Sequence, residues 1–244
     1  MAGSQAGIEI RQLFQLADFE EVVVLQKVIW SFADIELLPL RFLVVVSKVG
    51  GHVFGAFDGP RMIGFCFAIP GIKPDGRPYL HSHMLGVLPE YRDAAVGRRL
   101  KLRQRDEALA RGIQLIEWTF DPLELKNAYL NIEKLGAIVR RYNENQYGTT
   151  SSPLHGGLPT DRCIAEWWIA TPRAAGQRTP PAPDAERISY PADIAHIREH
   201  HPARARAIQQ ENAARFLDAF TRGLAVTGFQ RTETEGIYIL EPWQ

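Results

Sequence analysis

Hydrophobic and polar positions alternate, or run together, in short stretches along most of this chain. Ile8 to Phe14 alternates and predicts a strand. Asp18, followed by Glu20 and Glu21, reads as an N-cap with a negative first turn, opening a helix to about Trp30. Leu40 to Val49 predicts a second helix, stopped by Gly50 and Gly51. His52 to Phe57, Asp58-Gly59, and Met62 to Ile69 form a hairpin pattern. Pro70 to Pro78 reads as a loop, with Lys73-Pro74-Asp75-Gly76 as its turn. Leu80 to Val87 is an extended apolar run interrupted by two histidines, and Pro89 ends it.

The chain then bends through Arg92-Asp93-Ala94-Ala95-Val96-Gly97 into a helix over Val96 to Arg111. Small residues let backbone N–H groups approach a ligand closely, and a helix N-terminus favours an anion. The bend is therefore a natural phosphate cradle. Ile113 to Phe120 predicts another strand, Leu123 to Leu135 a helix closed by Gly136, and Ala137 to Tyr142 a further strand. Asn143 to Pro159 is polar, glycine-rich and without period, and Arg162 to Ile169 is strand-like again. Residues 171–187 contain four prolines and read as an exposed linker. Beyond them, Ala205, Ile208, Ala213, Phe216, Leu217 and Phe220 recur at helical spacing between Pro202 and Arg222. Leu224 to Gln230 and Gly236 to Glu241 predict a terminal hairpin.

The cradle resembles the pyrophosphate loop of the GNAT superfamily of acyl-CoA-dependent N-acyltransferases: Arg or Gln, two free positions, Gly, one free position, then Gly or Ala. Arg92, Ala95 and Gly97 fill those places, with Ala95 where the family usually has Gly. Asn127-Ala128 and Glu133-Lys134-Leu135-Gly136 are similar to the family's second cofactor motif. The resemblance spans about residues 8 to 170. It implies an α/β fold with a mixed central sheet, whose splayed parallel strands admit the cofactor and are flanked by helices. The expected organisation is an acyltransferase core over 1–170, a linker over 171–187, and a helix-and-hairpin extension over 188–244. That extension is expected to pack on the core or on a dimer partner. Cofactor contacts are expected from Leu85, Val87, Arg92, Ala94, Ala95, Val96, Gly97, Arg98 and Asn127, with Arg99 also flanking the phosphates. Many relatives place a Tyr four residues before the motif's Gly as the acid for the leaving thiolate. Here Ile132 stands there, beside Asn131, and Tyr129 lies one helical turn earlier.

Composition narrows the classes. Lys plus Arg and Asp plus Glu number 28 each, so no net field draws nucleic acid or an anionic membrane. Hydrophobic residues are 45% and charged residues 23%, ordinary for a globular protein. No apolar run is long enough to span a bilayer, and the first ten residues lack a secretory pattern. Cys66 and Cys163 sit in apolar strands and read as buried thiols. Together these predict a cytoplasmic protein. No spacing for a metal is present: His196, His200 and His201 lack an acidic or cysteine partner.

Amide formation from a thioester needs a base for the amine and a donor for the oxyanion. His81 and His83 are two apart on a strand, so they are expected on one face with Leu85 and Val87. His83 is nearer the cradle and is the first candidate base. Glu117 on the following strand is the rival, and His81 is placed toward the substrate. Asp121 reads as a helix cap. Arg162 is the candidate clamp for an acceptor carboxylate, with Arg92, Arg140 and Arg141 as further gap arginines. The expected donor is acetyl-CoA or succinyl-CoA, and the expected acceptor is the amine of a small molecule such as an amino acid. A CoA-binding or regulatory module without catalysis is the alternative that the Ile132 departure leaves open.

Overall fold

The computed structural model describes residues 7–92, 94–148 and 156–243. The chain divides into two compact units, Met1–Ile116 and Glu117–Gln244.

In the first unit, four antiparallel strands stand in the order β1 (Ile8–Gln12), β2 (His52–Asp58), β3 (Arg61–Ile72), β4 (Pro78–Val87). α1 (Leu16–Trp30) and α2 (Leu40–Lys48) cover one face, and α3 (Val96–Ala110) covers the other. Alternation along β4 shows the division. A side chain at Gly86 would meet Trp30 and Ile29 of α1, whereas Leu85 and Val87 lie against Gly97 of α3. Phe65 meets Trp30 edge-on, and Phe67 meets Phe42 of α2 in the same way. Phe65, Phe67, Phe19, Phe54, Leu43 and Met62 are fully buried. Each contributes roughly 1.5–3 kcal/mol through removal of apolar surface from water.

α1 begins at Leu16, two residues before the expected cap. Asp18 lies inside its first turn, where it pairs with Arg11 at 3.0 Å and meets the positive end of the helix dipole. β3 also runs further than its pattern suggests, because Pro70, Gly71 and Ile72 stay in register with β4.

The second unit orders its strands β5-β7-β6-β9-β10-β8. Their ranges are β5 (Leu115–Phe120), β6 (Ile138–Asn143), β7 (Arg162–Trp168), β8 (Glu186–Pro191), β9 (Leu224–Arg231) and β10 (Glu235–Pro242). β9 joins β6 through Val139 and Val226, and β10 pairs with both β9 and β8. α6 (Pro202–Thr221) lays its apolar stripe on β6, β8 and β9. Phe216 stacks on Tyr142 and meets Tyr238 edge-on, with centroids 5.5 and 5.2 Å apart. α5 (Ile194–His200) and β8 had no sequence expectation.

The helix predicted over Leu123 to Leu135 has two parts. α4 is one turn, Leu125–Ala128, and Tyr129–Lys134 continues it as a π-helix. The wider turn shows in the bond from Leu135 N–H to the Leu130 carbonyl. Gly136 ends it at φ +81°, where a Cβ would lie 2.5 Å from the Arg173 carbonyl oxygen. Of the long segment Asn143 to Pro159, residues 149–155 lie outside the described ones, as does Asp93 of the cradle.

Among the described residues, no helix is long and apolar enough to cross a membrane.

Candidate functional site

The cradle forms as its residue types dictate. Pro89–Tyr91 makes one 3₁₀ turn after β4. Two side-chain bonds fix this approach: Tyr91 Oη donates to Asp58 at 2.7 Å, and Arg61 pairs with Glu90 at 2.8 Å. Ala95 then turns the chain into α3 with φ +56° and ψ +16°. α3 starts at Val96 without a capping side chain. The N–H groups of Val96, Gly97 and Arg98 therefore precede any acceptor within the helix and point out of its N-terminus. Arg92 and Arg98 are exposed beside them. Gly97 lets the helix start close to β4: a Cβ there would come within 3.3 Å of Leu85 Cδ2. The residues expected around a pyrophosphate, from Leu85 and Val87 to Arg98, are thus together in one unit. They offer what a diphosphate needs: amide donors with no acceptor within the helix, a positive helix end and two flanking guanidiniums. Arg99 is used differently, donating to the Ile8 carbonyl oxygen at 2.5 Å and tying α3 to β1.

Ala95 carries its methyl group at this positive φ. A non-glycine residue in the left-handed region costs roughly 1 kcal/mol or more. Ala95→Gly is expected to raise the unfolding free energy by a few tenths to about 1 kcal/mol, because removed strain outweighs the added freedom of the unfolded chain. Urea denaturation of the two proteins measures the difference, and a lower midpoint for the glycine variant would contradict it.

β4 carries a bulge. Phe67 of β3 stands opposite Met84, but the next residue, Ala68, stands opposite Ser82, so His83 is the extra residue. His81 and His83 share a face, as their spacing predicts: their ring centroids are 5.7 Å apart, and His83 lies 5.5 Å from Phe67. Leu85 and Val87 do not share it. The bulge resets the alternation and sends them to the α3 face, which corrects the expectation of a single four-residue row. Desolvation lowers the pKa of both histidines. His81 falls to about 4, with His83, Lys101 and Lys73 adding to the burial effect. Both shifts favour the neutral ring.

Sequence reasoning missed the layer under this strand. Lys101 and Ser82 are each only 3% exposed, and Gln104 is fully buried. Lys101 Nζ donates to Ser82 Oγ at 2.7 Å, and Ser82 Oγ donates to Gln104 Oε1 at 2.9 Å. The available signal was position: Lys101 and Gln104 fall on the stripe of α3 that also buries Val96, Leu100 and Ala108. Cys66 is buried nearby, its thiol pushed up to about 12 by desolvation and its Sγ 3.9 Å from the Leu100 carbonyl oxygen.

In the second unit, Glu117 is buried and paired with Arg141 at 2.5 Å. Glu166, also buried, accepts from Arg140 at 2.5 Å and lies 3.4 Å from Arg141 Nε. Two of the gap arginines are thus committed to glutamates. Arg162 is 8% exposed, donates to the Asp161 carbonyl oxygen at 2.8 Å and lies over the Tyr147 ring. Asp121 caps the following turn through Leu123 N–H at 2.8 Å and is also held by Arg198 at 3.3 Å. Asn127 is exposed on α4. Ile132 is fully buried, while the Tyr129 ring is half-exposed under the Lys134 ammonium at 5.0 Å. Among the described residues no group of three or more His, Cys, Asp or Glu side chains is arranged to hold a metal.

Solved structures share this fold. YncA from Salmonella typhimurium, solved with acetyl-CoA as its cofactor, matches with a TM-score of 0.55 at 17% identity, over 68% of this chain and 98% of its own. The ribosomal-protein-S18-alanine N-acetyltransferase of Escherichia coli matches at 0.53 and 19% identity, over 67% and 95%. A GNAT-family protein from Desulfovibrio desulfuricans matches at 0.53 and 16% identity, over 67% and 99%. The fold is therefore the mixed α/β fold of the GNAT acetyltransferases, as the cradle motif implies. No family model matches the sequence, and no curated protein does.

Proposed function

We propose that this protein is an acyl-CoA-dependent N-acyltransferase that moves an acetyl or succinyl group directly to the amine of a small acceptor. The observation that carries the reading is the pairing, on β4 and α3, of a helix-N-terminal anion cradle with a bulge bearing a neutral histidine. Acyl-CoA supplies the activated carbonyl as its thioester. Val96, Gly97 and Arg98 N–H groups, with the Arg92 and Arg98 guanidiniums, bind the diphosphate. Leu85 and Val87 line the path along β4. The bulge leaves a backbone N–H outside the ladder, a donor suited to the oxyanion. His83, uncharged near pH 7, accepts the proton of the acceptor ammonium, and His81 beside it holds the same ring environment free of positive charge. Glu117 Oε1 is engaged by Arg141, which favours His83 as the base.

The acceptor reading rests on Arg162. The clamp is placed on this guanidinium because its planar fork suits a carboxylate. Amino acids are expected to react at least about tenfold faster than the amines obtained by removing their carboxyl group, and Arg162→Ala to erase the preference. Equal rates for acid and amine in the wild type would remove the clamp.

The overall reading is tested by incubating the protein with acetyl-CoA or succinyl-CoA and a panel of amines, following free thiol, beside calorimetric titration with CoA. Amine-dependent thiol release is expected. CoA binding without it would favour the non-catalytic module, for which the burial of Ile132 at the usual acid position speaks. Absence of CoA binding would overturn both.

A further inference from the structure

The structure assigns a role to the buried chain Lys101–Ser82–Gln104: we propose that it pins the β4 bulge and so positions His83. The inference rests on the acyltransferase reading for its kinetic arm only. Ser82 immediately precedes the bulged residue, and its partner Ala68 is the point at which the register shifts. A bulge is one residue out of step with its neighbour strand, so the ladder alone does not fix which residue protrudes. A side-chain anchor on one flank removes that freedom. Ser82 Oγ has both of its roles filled, accepting from Lys101 at 2.7 Å and donating to Gln104 at 2.9 Å. Both partners come from α3, the helix whose first turn forms the cradle. The same rigid helix therefore sets the cradle and the bulge, and hence the spacing between diphosphate and thioester carbonyl.

An ammonium in this layer is costly. Sheet and helix withdraw Lys101 from water, and burial lowers its pKa to about 7. Cys66 from β3, His52 from β2 and His81 from β4 act on it electrostatically. An apolar residue of the same length would fill the space without that desolvation, so Lys101 is placed for geometry at the expense of stability. The charged and neutral amine both donate to Ser82 Oγ, and the pin survives the titration.

Lys101→Met is therefore expected to be at least as stable as the wild type while kcat falls about tenfold to a hundredfold, with KM for acyl-CoA within about twofold. Ser82→Ala should lose kcat similarly, Ser82→Thr should restore most of it, and the double variant should lose no more than either single one. Amide exchange should accelerate at Ser82 to Met84 and not in α1 or α2. Unchanged exchange at the bulge in both Lys101→Met and Ser82→Ala would overturn the pin, whatever the activity. Accelerated exchange with unchanged kcat in an active enzyme would overturn the positioning of His83. An inactive wild type would count against the acyltransferase reading alone, because the exchange arm needs no substrate.

Discussion

Replacing Gly97 by glutamate is expected to lower CoA affinity by about a hundredfold or more while leaving the fold intact. The position tolerates a side chain sterically. A Cβ would come within 3.3 Å of Leu85 Cδ2, the far end of a flexible group, and meet Val87 Cγ2 at an ordinary 3.9 Å. A negative charge in the first turn of α3 also suits the helix dipole, so the urea midpoint should hold or rise slightly. The loss comes from the ligand side. The carboxylate would sit among the N–H donors that the diphosphate needs, and would repel the phosphates at a few ångströms. At an effective dielectric constant of 20 and 4 Å, that repulsion is about 4 kcal/mol. Gly97→Ala separates shape from charge and should lose far less. Calorimetric titration with CoA reads both variants, and wild-type affinity in the glutamate variant would remove the cradle from the mechanism.

The strands and main helices were legible because each buries apolar side chains: β2 and β3 as continuous apolar runs covered on both faces, and α2, α3 and α6 as helical stripes. Features set by a neighbouring strand or by tertiary strain were not. The extra residue of β4 is defined only against β3, so the sequence showed His81 and His83 on one face but not the reset that turns Leu85 and Val87 to the other. The π-turn at Tyr129–Lys134 keeps the apolar spacing of an ordinary helix, and its wider bond pattern leaves no mark in residue types. Ala95 gave no sign of its positive φ, because alanine rarely adopts it. Lys101 is one charge among many on a basic helix, and its burial follows from the sheet beneath it. Of the candidate site, the cradle and the histidine pair were readable from spacing. The engagement of Arg140 and Arg141 by glutamates was not, since Glu117 and Glu166 reach them only across strands.

Acid should destabilise the first unit through His52, and removing that side chain should flatten the response. His52 is 1% exposed, and its Nδ1 lies 3.4 Å from Arg111 Nη2. A guanidinium can only donate, so Nδ1 is the acceptor and the ring proton sits on Nε2, which has no hydrogen-bond partner among the described residues. Protonation of Nδ1 would turn that bond into a repulsive contact. Burial first, and then the charges of Arg111, Lys101 and Arg103, hold the pKa down to about 3, against 6.5 for a free histidine. The sign follows from proton counts. Below pH 6.5 the unfolded chain binds a proton that the folded protein refuses, so stability is full above 6.5 and falls as pH drops toward 3. Between pH 6.5 and 4.5 this one group removes roughly 2–3 kcal/mol. His81, with a pKa near 4, acts in the same direction and in the same window. His52→Leu should therefore lose less stability than the wild type between pH 7 and 4.5, by about 2 kcal/mol. Urea unfolding curves for both proteins at the two pH values measure the difference of differences. An acid response of equal size in the variant would show that His52 is protonated in the folded state at ordinary cost, and that its buried, uncharged contact with Arg111 does not govern the acid limb.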